Sequence, residues 1–175
     1  MIKIKKVLLV GLILVFPAFI AATENRYERH QNLNFIGEGS LKVFLWQLYD
    51  VRLLSDDKTF SWNNDLVLEF AYKRELKKKE VIDASVKEMR RQKGVTEKQL
   101  KNWQNYLERG IQTAQKATKA SLYWTPNGTI TFFYDGLKPV TIDNASFARA
   151  FMNIWLGPDT SEPELRRALL GKNSS

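Results

Sequence analysis

Apolar positions change period several times along the chain, and each change marks an element. In residues 65–74, Leu66, Leu68, Phe70 and Tyr72 alternate with Val67, Glu69, Ala71 and Lys73. This period of two predicts a half-buried strand. In residues 43–54 both alternating sets stay largely apolar until Asp50, which predicts a strand covered on both faces, or one that bends near Tyr49 and Asp50. Gly37 and Gly39 bracket a predicted tight turn before it, and Ser55-Asp56-Asp57-Lys58 a turn after it. The period then lengthens. Ile82, Val86 and Met89 give the inner stripe of a basic helix over 78–92, stopped by Gly94. Thr96 and Gln99 form a capping box for a helix whose face carries Leu100, Trp103, Leu107 and Ile111 and which reaches Gln115.

Short alternations return over 121–142. SLYWT and TITFFY are joined by Pro126-Asn127-Gly128, a hairpin signal. Asp135-Gly136 makes a second turn before a third strand, whose Pro139 confines it to an edge or a bulge. Asp143 is the expected N-cap of a helix with Phe147, Ala148, Phe151, Ile154 and Trp155 on one wide apolar face. Gly157 and Pro158 stop it, with Gly157 expected in a left-handed closing conformation. Ser161-Glu162-Pro163-Glu164 reads as the capping box of a last helix carrying Leu165, Ala168 and Leu169 and closed by Gly171. Strands, then helices, then a meander, then two helices imply an α+β fold, with helices on one face of an antiparallel sheet.

The 175 residues are 44% hydrophobic, enough for one domain with a substantial core and too few for two. Residues 1–22 have the three parts of a cleavable signal peptide. Lys3, Lys5 and Lys6 start it, an unbroken apolar run spans 7–16, and Ala21-Ala22 offers small residues for cleavage after Ala22. The apolar run is short for a membrane span of about 20 residues. The expected organisation is thus a leader over 1–22, a polar lead-in over 23–34, one domain over 35–171 and a tail over 172–175, in a periplasmic or secreted protein. The chain has no Cys, which removes disulfides, thiol catalysis and Cys-based metal sites. Its one His, His30, sits in the polar lead-in with no second ligand for a metal.

The formal net charge is +8. Without the three leader lysines it becomes +5, from 24 basic and 19 acidic residues. The basic residues concentrate over 73–93, interleaved with Glu75, Glu80, Asp83 and Glu88. Mixed signs at helical spacing describe a solvated face and not a nucleic-acid footprint. They leave room for a weak contact with an anionic membrane surface.

The ordered set of elements, with Gly37-x-Gly39, Leu48-Tyr49-Asp50-Val51-x-Leu53, the strand over 66–74, the hairpin over 123–134, and Asp143-x-x-x-Phe147-x-x-x-Phe151 followed by Ile154-Trp155-Leu156-Gly157-Pro158, resembles the chalcone isomerase-like family, in particular its bacterial, exported branch. Leu165-Arg166-x-x-Leu169-Leu170-Gly171 closes the resemblance. It implies an open-faced β-sandwich, a large antiparallel sheet with helices over one side, and no cofactor or metal. The plant enzymes of that family close a chalcone ring with an Arg in the glycine turn, a Thr on the next strand, a Tyr and an Asn on a helix, and a Ser or Thr near the last helix. In this chain those positions fall on Leu41, on a site near Gln47, and on a stretch (77–91) without Tyr or Asn. Only Thr160 or Ser161 matches the last position. The Arg supplies the main electrostatic stabilisation, so its loss argues against chalcone cyclisation.

Some family members resemble carriers that hold fatty acids between sheet and helices. The leading expectation is a non-catalytic module binding a small apolar molecule such as a fatty acid, with Tyr49, Arg52, Tyr72 or Tyr123 orienting its polar end. Two alternatives come from different classes. One is an isomerase on another substrate, using Asp50, Asp135, Tyr49 or Tyr72. The other is an envelope interaction protein using the basic helix.

Overall fold

The computed structural model describes residues 32–172. They form β1 (Asn34–Val43), β2 (Trp46–Ser55), β3 (Leu66–Tyr72), α1 (Lys78–Arg90), α2 (Glu97–Gly110), β4 (Lys119–Trp124), β5 (Thr129–Tyr134), β6 (Val140–Asp143), α3 (Ala145–Leu156) and α4 (Pro163–Leu169). The strands make one antiparallel meander in the order β1 to β6. The helices pack on one of its faces around a continuous core that runs from Tyr49, Leu53 and Leu68 on the sheet to Met89, Trp103, Phe147 and Leu169 on the helices. This is the expected α+β, open-faced arrangement. Among the described residues the other face carries a small apolar cluster of Leu54, Val67 and Tyr123, with Leu33 and Phe133 against it. The predicted leader, His30 and most of the polar lead-in lie outside the described residues; Asn34 already pairs with Ser55.

The largest departure from the sequence reading is at the first hairpin. The chain does not turn at Gly37 and Gly39. Both glycines sit within β1, paired with Leu53 and Val51, and the turn comes later, at Phe44-Leu45. The glycines are there because α4 lies against them. A Cβ on Gly37 would stand 2.1 Å from the Ala168 carbonyl oxygen and 2.6 Å from that of Leu169. The long doubly apolar run is therefore two strands, with a register shift between Leu41 and Lys42 that turns Leu48 as well as Tyr49 toward the helices.

Smaller departures have similar causes. The N-cap of α3 is Asn144, whose side chain accepts from the Phe147 N–H at 3.0 Å; Asp143 is instead the last residue of β6, opposite Thr129. The expected capping box at 161–164 is absent. Thr160 Oγ1 accepts the Glu162 N–H at 3.2 Å and donates to the Ile154 carbonyl at 2.7 Å, while Pro163 begins α4 where its missing N–H costs nothing. Gly157 is extended, not left-handed; what excludes a side chain there is Asn153, whose Cβ and carbonyl oxygen would both lie 2.7 Å from an added Cβ. Helix α2 stops at Gly110, not Gln115, because Leu76 and Ala114 exchange backbone hydrogen bonds of 2.8 and 3.0 Å that draw the following segment out of helical geometry. The Thr96–Gln99 capping box and the Asn127-Gly128 hairpin form as expected, and β6 begins just after Pro139 at the sheet's edge.

Candidate functional site

Large side chains fill most of the space between sheet and helices, but small ones face each other in one region. Ala120 on β4 and Ala84 and Ser85 on α1 leave the two layers apart, and a cavity of about 410 Å³ remains. This lies within the roughly 300–1,000 Å³ of small-molecule sites. Its sheet wall is Tyr49, Phe70, Tyr72, Leu122, Phe132 and Tyr134. Its helical wall is Val81 and Ser85 from α1, Phe151, Ile154 and Trp155 from α3, and Leu165 from α4. The β1–β2 hairpin adds Leu41, Val43 and Leu48. Val43, Glu80, Ala84, Lys87, Ser161 and Glu162 line the cavity and are exposed as well, so they form its mouth.

The polar groups inside are nearly all phenols. Trp155 Nε1 donates to Tyr49 Oη at 2.9 Å. That leaves the Tyr49 hydroxyl hydrogen with no acceptor among the described residues. The Tyr72 and Tyr134 hydroxyls lie near enough to perturb each other, and the Gln112 backbone lies beside Tyr134. Burial pushes the Tyr49, Tyr72 and Tyr134 hydroxyls above the ordinary phenol range. For Tyr49 the Trp155 hydrogen bond opposes that shift, and the nearby carboxylates of Glu162 and Glu88 add to it. These phenols are hydrogen-bond donors at neutral pH and not bases. The aromatic rings hold one another edge to face: Tyr49 lies 5.3 Å from Phe70 and 5.8 Å from Tyr72, and Phe70 lies 5.1 Å from Trp155.

The structure divides the residues singled out from sequence between the two faces of the sheet. Tyr49 and Tyr72 line the cavity. Arg52 and Tyr123 lie on the open face: Arg52 is ion-paired with Glu38 at 3.6 Å and Glu69 at 3.7 Å, and Tyr123 donates to the Asp65 carboxylate. Ser161 lines the cavity, whereas Thr160 bridges the end of α3 to the start of α4. Leu41 reaches the cavity from the position where the resemblance places the Arg. Asp50 and Asp135 stay outside it. The Lys73 ammonium, 2.6 Å away, and the Ser40 hydroxyl hold the Asp50 carboxyl below its usual range, and Asp135 accepts the Lys119 N–H at 3.1 Å. The acids and phenols named for catalysis therefore do not converge.

Sequence reasoning missed Leu41, Val43, Leu48, Ser85 and Tyr134. Ser85 had a signal, a small residue three positions after Ile82 on an otherwise apolar stripe. Among the described residues no three His, Asp or Glu side chains converge on a metal position. What the arrangement can do is enclose an apolar body and donate hydrogen bonds to one polar end of it.

No curated protein matches the chain. Among solved structures, the crystal structure of an Arabidopsis thaliana fatty-acid-binding protein, AtFAP1, is similar, with a TM-score of 0.61 over 80% of this chain and 87% of that one. The two share 11% sequence identity, so the likeness is one of fold. The family model described as chalcone isomerase-like matches residues 29–171, which takes in every strand and helix described above, and the chain belongs to that family.

Proposed function

We propose that this protein is a non-catalytic carrier that holds a small apolar molecule with one polar end, such as a fatty acid, in the cavity between sheet and helices. The observation that carries the reading is the cavity itself: about 410 Å³, walled by aromatic and aliphatic side chains, with the buried Tyr49, Tyr72 and Ser85 and the half-buried Tyr134 among its polar groups. The fatty-acid-binding protein of like fold supports the ligand class. Glu88 and Glu162 lie near Tyr49, and among the described residues the only cation lining the cavity is Lys87, at the mouth. A neutral polar end, a protonated carboxyl or an ester, therefore suits the phenol wall better than a carboxylate does. The leader pattern over residues 1–22 supports a role outside the cytoplasm, in the periplasm or secreted.

The test is a titration of the purified protein with a long-chain fatty acid and its methyl ester, followed by tryptophan fluorescence. Ser85→Leu is the matched control. Ser85 donates only to the Val81 carbonyl, at 2.7 Å, so leucine orphans no other group and fills the void. Saturable binding lost in Ser85→Leu, with stability unchanged or higher, is the expected outcome. Binding that ignores the substitution overturns the proposal.

A further inference from the structure

We infer that the β1–β2 hairpin tip and the end of the sheet that bears it dock on an anionic lipid bilayer. The meander gathers the β1–β2 turn, the end of β3, the start of β4 and the β5–β6 turn at one end of the sheet. That end carries Lys42, Lys73, Arg74, Lys116, Lys119 and Lys138, against Glu75, Asp135 and the Lys73-bound Asp50. The opposite end carries Asp56, Asp57, Asp65 and Asp143 against Lys58. The molecule is thus electrostatically polar along its strands, a polarity that orients it toward a negative surface. Helix α1, whose basic sequence suggested a membrane contact, is a weaker candidate. Lys79 pairs with Asp83 at 2.6 Å, Arg90 with Glu97 at 2.5 Å and Lys78 with Glu108 at 3.8 Å.

From the basic end projects an apolar finger. Val43, Phe44, Leu45 and Trp46 are 45, 96, 97 and 61% exposed. Phe44 also holds a positive φ of 53°, a conformation that disfavours bulky side chains. A glycine or asparagine would make this turn with less strain. Keeping an unburied Phe in a strained seat serves no folding purpose, and such outliers accumulate where function needs the side chain. The Arg74 guanidinium stands 4.4 Å over the Trp46 ring, an aromatic and a cation together at the level where a bilayer's headgroups would lie. A convex finger of four residues falls far short of the roughly 800 Å² that each partner of a stable protein interface buries, whereas insertion of a few apolar side chains beside a basic collar matches an anionic lipid interface. Val43 belongs to both the finger and the cavity mouth, so docking sets that mouth against the membrane. The docking itself stands whatever fills the cavity.

The experiment uses residues 23–175, which contain every core residue among those described, with vesicles of phosphatidylcholine alone or mixed with phosphatidylglycerol. The expected result is salt-sensitive co-sedimentation with the anionic vesicles, at least about tenfold weaker in Phe44→Asn/Leu45→Ser. Both substituted side chains are exposed, and Asn tolerates the positive φ, so the fold is kept. A second measurement is independent of affinity. The chain has no Cys, so a fluorophore on Leu45→Cys reports from one place, with Asn127→Cys at the opposite end as its control. The first is quenched by brominated acyl chains and the second is not. Equal binding by the tip variant, or a Leu45→Cys label that brominated lipid does not quench, overturns the proposal. So does a spectral shift that follows protein concentration without vesicles, which would assign the finger to a second copy of the chain.

Discussion

A single methyl group added at Gly37 tests how the last helix is held. The Cβ of Gly37→Ala would stand 2.1 Å from the Ala168 carbonyl oxygen, 2.6 Å from the Leu169 carbonyl oxygen and 2.9 Å from the Leu169 carbonyl carbon. All three are backbone atoms, so no rotamer change relieves the clash, and α4 must move away from β1 by about 1 Å to restore ordinary contact. The helix is anchored by Leu165 and Leu169, both buried. Overpacking alone costs about 1–3 kcal/mol; losing most of the burial of both leucines would cost about 3–6 kcal/mol at 1.5–3 kcal/mol each. Replacing glycine within a strand returns about 0.5–1 kcal/mol. The expected net loss is therefore about 2–4 kcal/mol, measured as a shift in urea midpoint at constant slope. Gly39→Ala is the comparison. There the near atom is Leu165 Cδ1 at 2.6 Å, the free end of a side chain that can rotate, so the cost should stay near 1 kcal/mol. Because Leu165 also lines the cavity, Gly37→Ala should weaken ligand binding along with stability. If Gly37→Ala lies within about 0.5 kcal/mol of the wild type, or is milder than Gly39→Ala, the account of β1 against α4 is wrong.

Two further outcomes follow from the phenols. Tyr49→Phe and Trp155→Phe should couple by about 1 kcal/mol in a double-mutant cycle of urea unfolding, the net worth of a neutral hydrogen bond; additivity within about 0.3 kcal/mol would deny that the 2.9 Å contact contributes. Burial holds Tyr49 and Tyr72 above their unfolded value of about 10. Their contribution to stability is thus complete below about pH 10 and is lost as pH rises through the folded values. Stability should fall steeply above about pH 10, and Tyr72→Phe should flatten that fall. Phenolate absorbance that titrates fully at the ordinary phenol pH while the protein stays folded would contradict this.

Periodic signals carried furthest where one face is buried and the other wet. The strand around Leu66, Leu68, Phe70 and Tyr72, the Thr96–Gln99 cap and the Asn127-Gly128 hairpin form as their residues predict, because each is decided by neighbours in the chain. The first hairpin was not legible. Phe44-Leu45 has no turn chemistry, and Gly37 and Gly39, which read as a turn, are glycines on account of a helix more than a hundred residues away. Only tertiary contact separates a glycine that bends the chain from one that admits a neighbour. The same limit split the candidate site. Alternation puts Tyr49 and Arg52 on opposite faces, but nothing local says which face the helices cover. The cavity arises from Ala84, Ser85 and Ala120 failing to meet across two layers, which no single stretch of sequence displays.

The most direct test of the carrier reading is to purify the protein natively, extract it under denaturing conditions and identify by mass spectrometry whatever small molecule came with it. A stoichiometric apolar molecule with one polar end, a fatty acid or a relative of one, is expected, absent from the Ser85→Leu protein prepared in parallel. An equal amount of the same molecule in both preparations would place it outside the cavity, and an empty wild-type protein that also fails to take up added fatty acid or ester would contradict the central claim.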